Sequence, residues 1–206
     1  MLVVILVVSG WYGYTAWEEG KTLERIVSAD PGKKEFVDFL KRDQRELKKN
    51  LSSNDRITYT IDLGLQWYVV GEYSRAIHWW EKGLRMKRDN EIGWYNLGNA
   101  YRRLKNLKKA EEAYLTSIEY AKTGELNGCL ALGELYRNDY IEKRAEEPVV
   151  YQKCLEKSPD NRDLIARLGV YYRDQGDKAK AIQYFDQLFR LEPTVDVSEE
   201  LRKLRL

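Results

Sequence analysis

Histidine is nearly missing from this chain of 206 residues: the only one is His78, set beside Trp79 and Trp80. A general base or a metal ligand needs partner side chains at suitable spacing, and none accompanies it. No stretch has the spacing of a zinc site, a phosphate-binding loop or a dinucleotide fingerprint, so the sequence predicts no enzyme, no metal and no cofactor. An excess of one charge is also lacking, with 35 Lys and Arg against 33 Asp and Glu and both signs scattered. That gives no electrostatic case for nucleic acid as the partner, since such a binder normally shows a clustered basic stripe. Proline and glycine are few, at 4 and 14, and sit at separate points rather than in breaker-rich stretches. This fits an all-α chain. Phenylalanine is scarce too, 4 against 15 Tyr and 6 Trp. Tyr and Trp join an apolar body to a polar tip, which suits half-buried helix seams and binding surfaces.

What the chain does have first is a run without polar side chains, Leu2 to Val8, followed by Trp11, Tyr12, Tyr14 and Trp17. As helix, residues 2–17 would reach about 24 Å, short of the roughly 30 Å hydrocarbon core. Three readings compete. The preferred one is a membrane anchor over residues 1–20, since Trp and Tyr gather at the interface. A cleaved secretory signal fits the length, but no Lys or Arg precedes the run and no A-x-A site follows. A third reading starts the chain inside a longer hydrophobic segment. Basic residues beyond the run point inward, whereas an anchor ahead of a repeat domain suits an envelope protein; the expectation leans to an extracytoplasmic body on a single-pass anchor.

Residues 21–54 read as a linker and leading helix. Asp30-Pro31 is a helix start signal, and Phe36, Leu40 and Leu47, with Val37 and Phe39, place an apolar stripe on a helix ending near Asn50. The opposite face is charged and reads as solvated.

The rest repeats. Leu63-Gly64, Leu97-Gly98, Leu132-Gly133 and Leu168-Gly169 are each followed, three residues after the glycine, by Trp67, Tyr101, Tyr136 and Tyr172, at steps of 34, 35 and 36 residues. Downstream stand Ala76 and Trp80, Ala110 and Tyr114, then Ala181, Phe185 and Pro193. Small residues let two antiparallel helices approach closely, and the large residue four after the alanine is expected to fill the gap between units. The pattern resembles the tetratricopeptide repeat, W-x2-L-G-x2-Y, A-x3-F and a terminal Pro, over about two thirds of the chain. The resemblance implies a right-handed α-solenoid of about four helix-turn-helix units, 57–90, 91–124, 126–161 and 162–195, after an N-terminal hydrophobic helix. A capping helix over 196–206 closes it.

The third unit departs from the pattern. Its second helix stays in phase only with two extra residues in the turn; Glu147 then stands where a small residue is expected, and Pro148 falls in the first helical turn. The helix is expected to begin at Glu146 or Glu147, with Arg137 to Ala145 as an exposed connection. Cys129 and Cys154 fall near the start of one helix and the end of its partner. They are either a disulfide, in an oxidising compartment, or buried free thiols.

The resemblance further implies a concave groove lined by the first helices. Carried onto this sequence, it holds Ile61, Leu65, Tyr68 and Val69, then Tyr95, Asn99, Arg102 and Arg103, then Glu134, Arg137 and Asn138, and last Arg167, Arg173 and Asp174. Asn can bond a peptide backbone and Arg can grip carboxylates. The clamp some relatives use for acidic chaperone tails does not carry over, because only Asn99 and Arg167 match it while Tyr95, Ala131 and Asp163 do not. The expected function is a non-enzymatic scaffold at a membrane that binds other proteins or extended peptides and no nucleic acid. Two alternatives stand beside it: an accessory domain of a larger membrane enzyme or envelope assembly, and a homo-oligomer.

Overall fold

The computed structural model describes residues 18–122 and 126–206, and among them every regular element is helical. Residues 1–17, which hold the run read as an anchor, lie outside that description. Among the described residues no helix is long and apolar enough to cross a membrane. The expected single-pass membrane localisation is corrected on that finding, and the extracytoplasmic placement and membrane attachment that hung on it are withdrawn.

The chain divides into two compact units, Met1–Met86 and Lys87–Leu206. In the first, helical residues 18–29 (α1) lead through a 3-10 turn, Pro31–Lys33, into α2 (Lys34–Glu46), α3 (Ser53–Val69) and α4 (Tyr73–Met86). Asp30 starts the turn by accepting a hydrogen bond from the Gly32 amide at 3.1 Å, with Pro31 in the first position. Residues 21–29, for which the sequence leaves a linker or a frayed helix open, are helical, and Leu23 and Ile26, three apart, bury on one side. On α2 the buried stripe is Val37, Leu40 and Asp43. Phe36 and Leu47 flank it, half-buried, so the core-facing stripe is turned by about one residue from the expected one. Asp43 tolerates burial by pairing with Arg42 at 2.8 Å.

The second unit runs α5 (Glu91–Arg103), α6 (Leu107–Tyr120), α7 (Asn127–Asn138), a 3-10 segment (Ile141–Glu146), α8 (Glu147–Leu155), α9 (Arg162–Asp174), α10 (Lys178–Leu191) and α11 (Val195–Arg205). Most starts are fixed by side-chain caps: Asn90, Asn106, Asn161, Asp177 and Thr194 each accept a hydrogen bond from an amide in the first turn. Each cap contributes about 1 kcal/mol. Successive helices pack on one another, and two apolar clusters fill the seams. One joins Leu126, Cys129, Tyr151, Cys154, Leu164 and Leu168. The other joins Ile165, Ala181, Phe185 and Leu188 to Leu201 and Leu204 of α11, which thereby covers the last apolar face.

One contact recurs in every helix pair. The glycine of the first helix lies under the large residue of the second: Gly64 under Trp80, Gly98 under Tyr114, Gly133 under Tyr151, Gly169 under Phe185. The large residue thus packs on the glycine of its own pair, and Tyr151 and Phe185 also belong to the clusters shared with Leu164 and Leu168 of the next pair and with Leu201 and Leu204 of α11. Trp80 also donates its indole N–H to the Ile61 carbonyl at 3.1 Å. In three of the four pairs the turn after the first helix uses a left-handed residue: Gly71 at φ 92°, Gly176 at 77° and, from α5 to α6, Lys105 at 59°.

Candidate functional site

In the second unit the first helices α5, α7 and α9 carry most of the groove residues, and the structure links several of them. Arg102 on α5 holds Asp139, just past the end of α7, at 2.6 Å and lies 3.8 Å from Glu134 on α7. Glu134 in turn accepts from Arg167 on α9 at 2.8 Å. A row of alternating charge therefore crosses three successive first helices. Lys105 adds a second cation on Asp139 at 2.8 Å. The Lys105 hydrogen bond, working against burial and with Arg102, holds the Asp139 carboxyl below its ordinary value. Burial alone would lower Arg102, but its bond to Asp139 outweighs that and leaves it raised.

The other arginines are engaged in the same way. Arg137 reaches Glu147 at 2.6 Å, and Glu147 is wholly buried. This explains an acid at a position that favours a small residue: it is the buried counter-ion of an arginine one helix earlier. Arg137 belongs to the last turn of α7, so it is not in the exposed connection where the sequence reading put it. The connection is instead a 3-10 segment pinned by Lys143, whose ammonium lies 2.5 Å from Glu111 on α6, alongside the Tyr136 hydroxyl on the same carboxylate. Burial and that carboxylate push the Tyr136 hydroxyl upward, so it stays a donor. Arg173 pairs with Glu200 of α11 at 3.0 Å and with its neighbour Asp174.

Among the uncharged groove residues, Asn99 accepts from the Tyr114 hydroxyl at 2.7 Å, which leaves its amide N–H groups to point elsewhere. Tyr95 stands half-buried with its ring 6.3 Å from that of Tyr114. Asn138 and Arg103 are exposed. In the first unit Leu65 is 44% exposed, and Tyr68 packs its ring against Tyr73 and Trp80 at 5.3 and 5.7 Å. Cys129 and Cys154 are joined in a disulfide with Cα atoms 6.3 Å apart, buried in the core of α7 and α8. Asp139 and Glu200 were not among the residues singled out in the sequence, nor was Glu147 given its partner. Only Glu147 carried a signal, an acid out of place in the repeat.

Residues 92–123 and 163–195 each match a family model described as the tetratricopeptide repeat. These segments are tetratricopeptide repeats. A tetratricopeptide repeat-containing protein of Borreliella burgdorferi is 22% identical over 180 residues, covering 82% of this chain and 78% of that protein. The BBSome complex member BBS4 of Bos taurus is 24% identical over 127 residues, 62% of this chain but 24% of its own length. Among solved structures, MamA superposes with a TM-score of 0.60 at 19% identity, over 75% of this chain and 86% of that one. YrrB, described as a tetratricopeptide protein with an unusual peptide-binding site, gives 0.55 at 16% identity over 80% and 87%. These likenesses show an all-helical, solenoid-like tetratricopeptide fold, and they indicate no enzyme family.

Proposed function

We propose that the chain is a non-enzymatic scaffold of four consecutive repeats, at 57–90, 91–124, 126–161 and 162–195, which receives an extended segment of a partner protein on the first helices α5, α7 and α9. The observation that carries this reading is the linked row Arg102, Glu134 and Arg167, which fixes the side chains of three neighbouring helices as one preorganised surface. The tetratricopeptide repeats and the fold likeness to YrrB support it. Because these arginines already face the chain's own carboxylates, an acidic tail would have to displace them. The surface therefore selects by shape, by aromatic contact at Tyr95 and by amide bonding to a peptide backbone at Asn99 and Asn138.

The test is selection of displayed peptides on the intact chain, followed by calorimetric titration of a selected peptide. Replacing Tyr95 and Asn138 together by alanine should weaken binding at least about tenfold, as for loss of two interface contacts. The thermal midpoint should hardly move. Unchanged affinity in the double variant would remove the surface from consideration.

A further inference from the structure

A second concavity lies wholly in the first unit and belongs to none of the groove positions Ile61, Leu65, Tyr68 or Val69. It is a cleft of about 580 Å³ bounded by α1, α2 and the residues after it, α3 and α4. Leu23, Leu47 and Trp79 give it apolar walls, and the buried Thr60 closes it below. Four cations surround it: Lys41, Lys48, Arg56 and Lys82. Among the described residues its one carboxylate is Glu19, already hydrogen-bonded to Gln44.

The cations are not consumed by the fold. Lys41, Lys48, Lys82 and Arg56 form no ion pair among the described residues. The two acids nearest in sequence to Lys41 have other partners: Asp43 is paired with Arg42 at 2.8 Å and Asp38 is bonded by Lys34 at 2.6 Å. The Arg56 guanidinium donates to the Leu47 carbonyl at 3.5 Å, and Lys82 lies over the Trp79 ring at 4.6 Å. This contrasts with the second unit, where arginine after arginine is matched by an acid. Like charges drawn around one concavity repel each other, and an arriving anion relieves that repulsion.

From this complementarity we propose that the cleft binds an acidic peptide segment of a partner, with one aromatic or aliphatic side chain lodged against Trp79 and Leu47 and its flanking carboxylates on Lys41, Lys48 and Lys82. A free inorganic anion would leave the apolar walls unused. A nucleic acid calls for a basic track extending past one cleft, and the charge balance of the chain gives none.

The experiment titrates the intact chain against a fluorescein-labelled peptide carrying a single phenylalanine flanked on both sides by glutamates, read by anisotropy. Expected are saturable binding that weakens with salt, a loss of at least about tenfold in the Lys41→Glu, Lys82→Glu double variant, and failure of the same peptide with glutamine for glutamate. Both lysines are exposed, so circular dichroism should show the variant folded. Trp79→Leu supplies a second reading, with weaker binding expected from loss of the aromatic wall. The proposal is overturned by any of four results: no saturable binding, equal binding to the charge-reversed variant, equal binding of the glutamine peptide, or tighter binding of a single-stranded oligonucleotide of matched charge. The Tyr95→Ala, Asn138→Ala chain should bind this peptide normally; loss there would place the peptide on the second unit and also overturn the assignment. A failure here leaves the second-unit surface standing, since that is tested with other peptides and other residues.

Discussion

Gly98 and Gly169 hold the same place in their helix pairs and should respond differently to the same substitution. Alanine favours a helix over glycine by about 1 kcal/mol. At Gly98 a β-carbon would come within 2.5 Å of the fully buried Tyr114 ring, and overpacking of about 1 to 3 kcal/mol outweighs that gain. At Gly169 the nearest Phe185 atoms are 3.1 Å away, and the two effects nearly offset. Urea unfolding should show Gly98→Ala destabilised and Gly169→Ala within about 0.5 kcal/mol of the parent; Gly169→Leu still overpacks. Asp139 gives a pH signature. Its carboxyl is held below the ordinary value of about 3.9, so its stabilising contribution is whole above that pH and fades as pH falls toward the folded value. The gap in thermal midpoint between the parent and Asp139→Asn should be flat from neutrality to about pH 5 and shrink below about pH 4. The glycines were legible in the sequence because four phased copies advertise them. Asp139 and Glu200 were not, since their partners Arg102 and Arg173 lie 37 and 27 residues away and no local spacing announces such a pair.

At the scale of elements, the α7 to α8 pair is the irregular one. Its second helix has 9 residues where α4, α6 and α10 have 14, and a 3-10 segment precedes it. A shorter helix buries less, and the disulfide between Cys129 and Cys154 stands in this pair, 25 residues apart. Closing a loop of that length is expected to stabilise by roughly 3 to 4 kcal/mol in the chain-entropy account. Urea unfolding with and without reductant should differ by about that amount, and a Cys129→Ala, Cys154→Ala chain should show no such difference. Sequence reading reached the place of the irregularity through Pro148 and Glu147. It could not choose between thiols and a disulfide, which depends on how two helices are rotated against each other. It also left α1 open between a linker and a frayed helix, because two buried apolar residues are too few to stand out as a periodic stripe.

On the scale of the whole molecule, the second unit is built of helix pairs that lean on their neighbours, so damage should stay near where it is made. Leu201 of α11 is 4% exposed and covers the last pair. Leu201→Ala should cost about 2 to 3 kcal/mol. In hydrogen exchange, protection should fall in α9 and α10 and hold in α5 and α6; a uniform loss would mean the unit unfolds as one body. The all-helical, repeated architecture was readable from the sequence because the Leu-Gly period and the aromatic residue three after each glycine recur in step. The division into two units was not. No break in composition marks Met86 to Lys87, and the boundary falls inside an otherwise regular succession of helices.

The bond between Cys129 and Cys154 also decides how the chain carries a load. Tension applied through the two ends of the protein passes across that bond and bypasses the stretch between its cysteines, which cannot lengthen. An oxidised chain pulled to full extension ends roughly 80 Å shorter than a reduced one, at about 3.5 Å for each of the 25 residue steps withheld, less the 6.3 Å the bond spans. The least regular pair of helices is thus the part of this molecule that force cannot fully unravel.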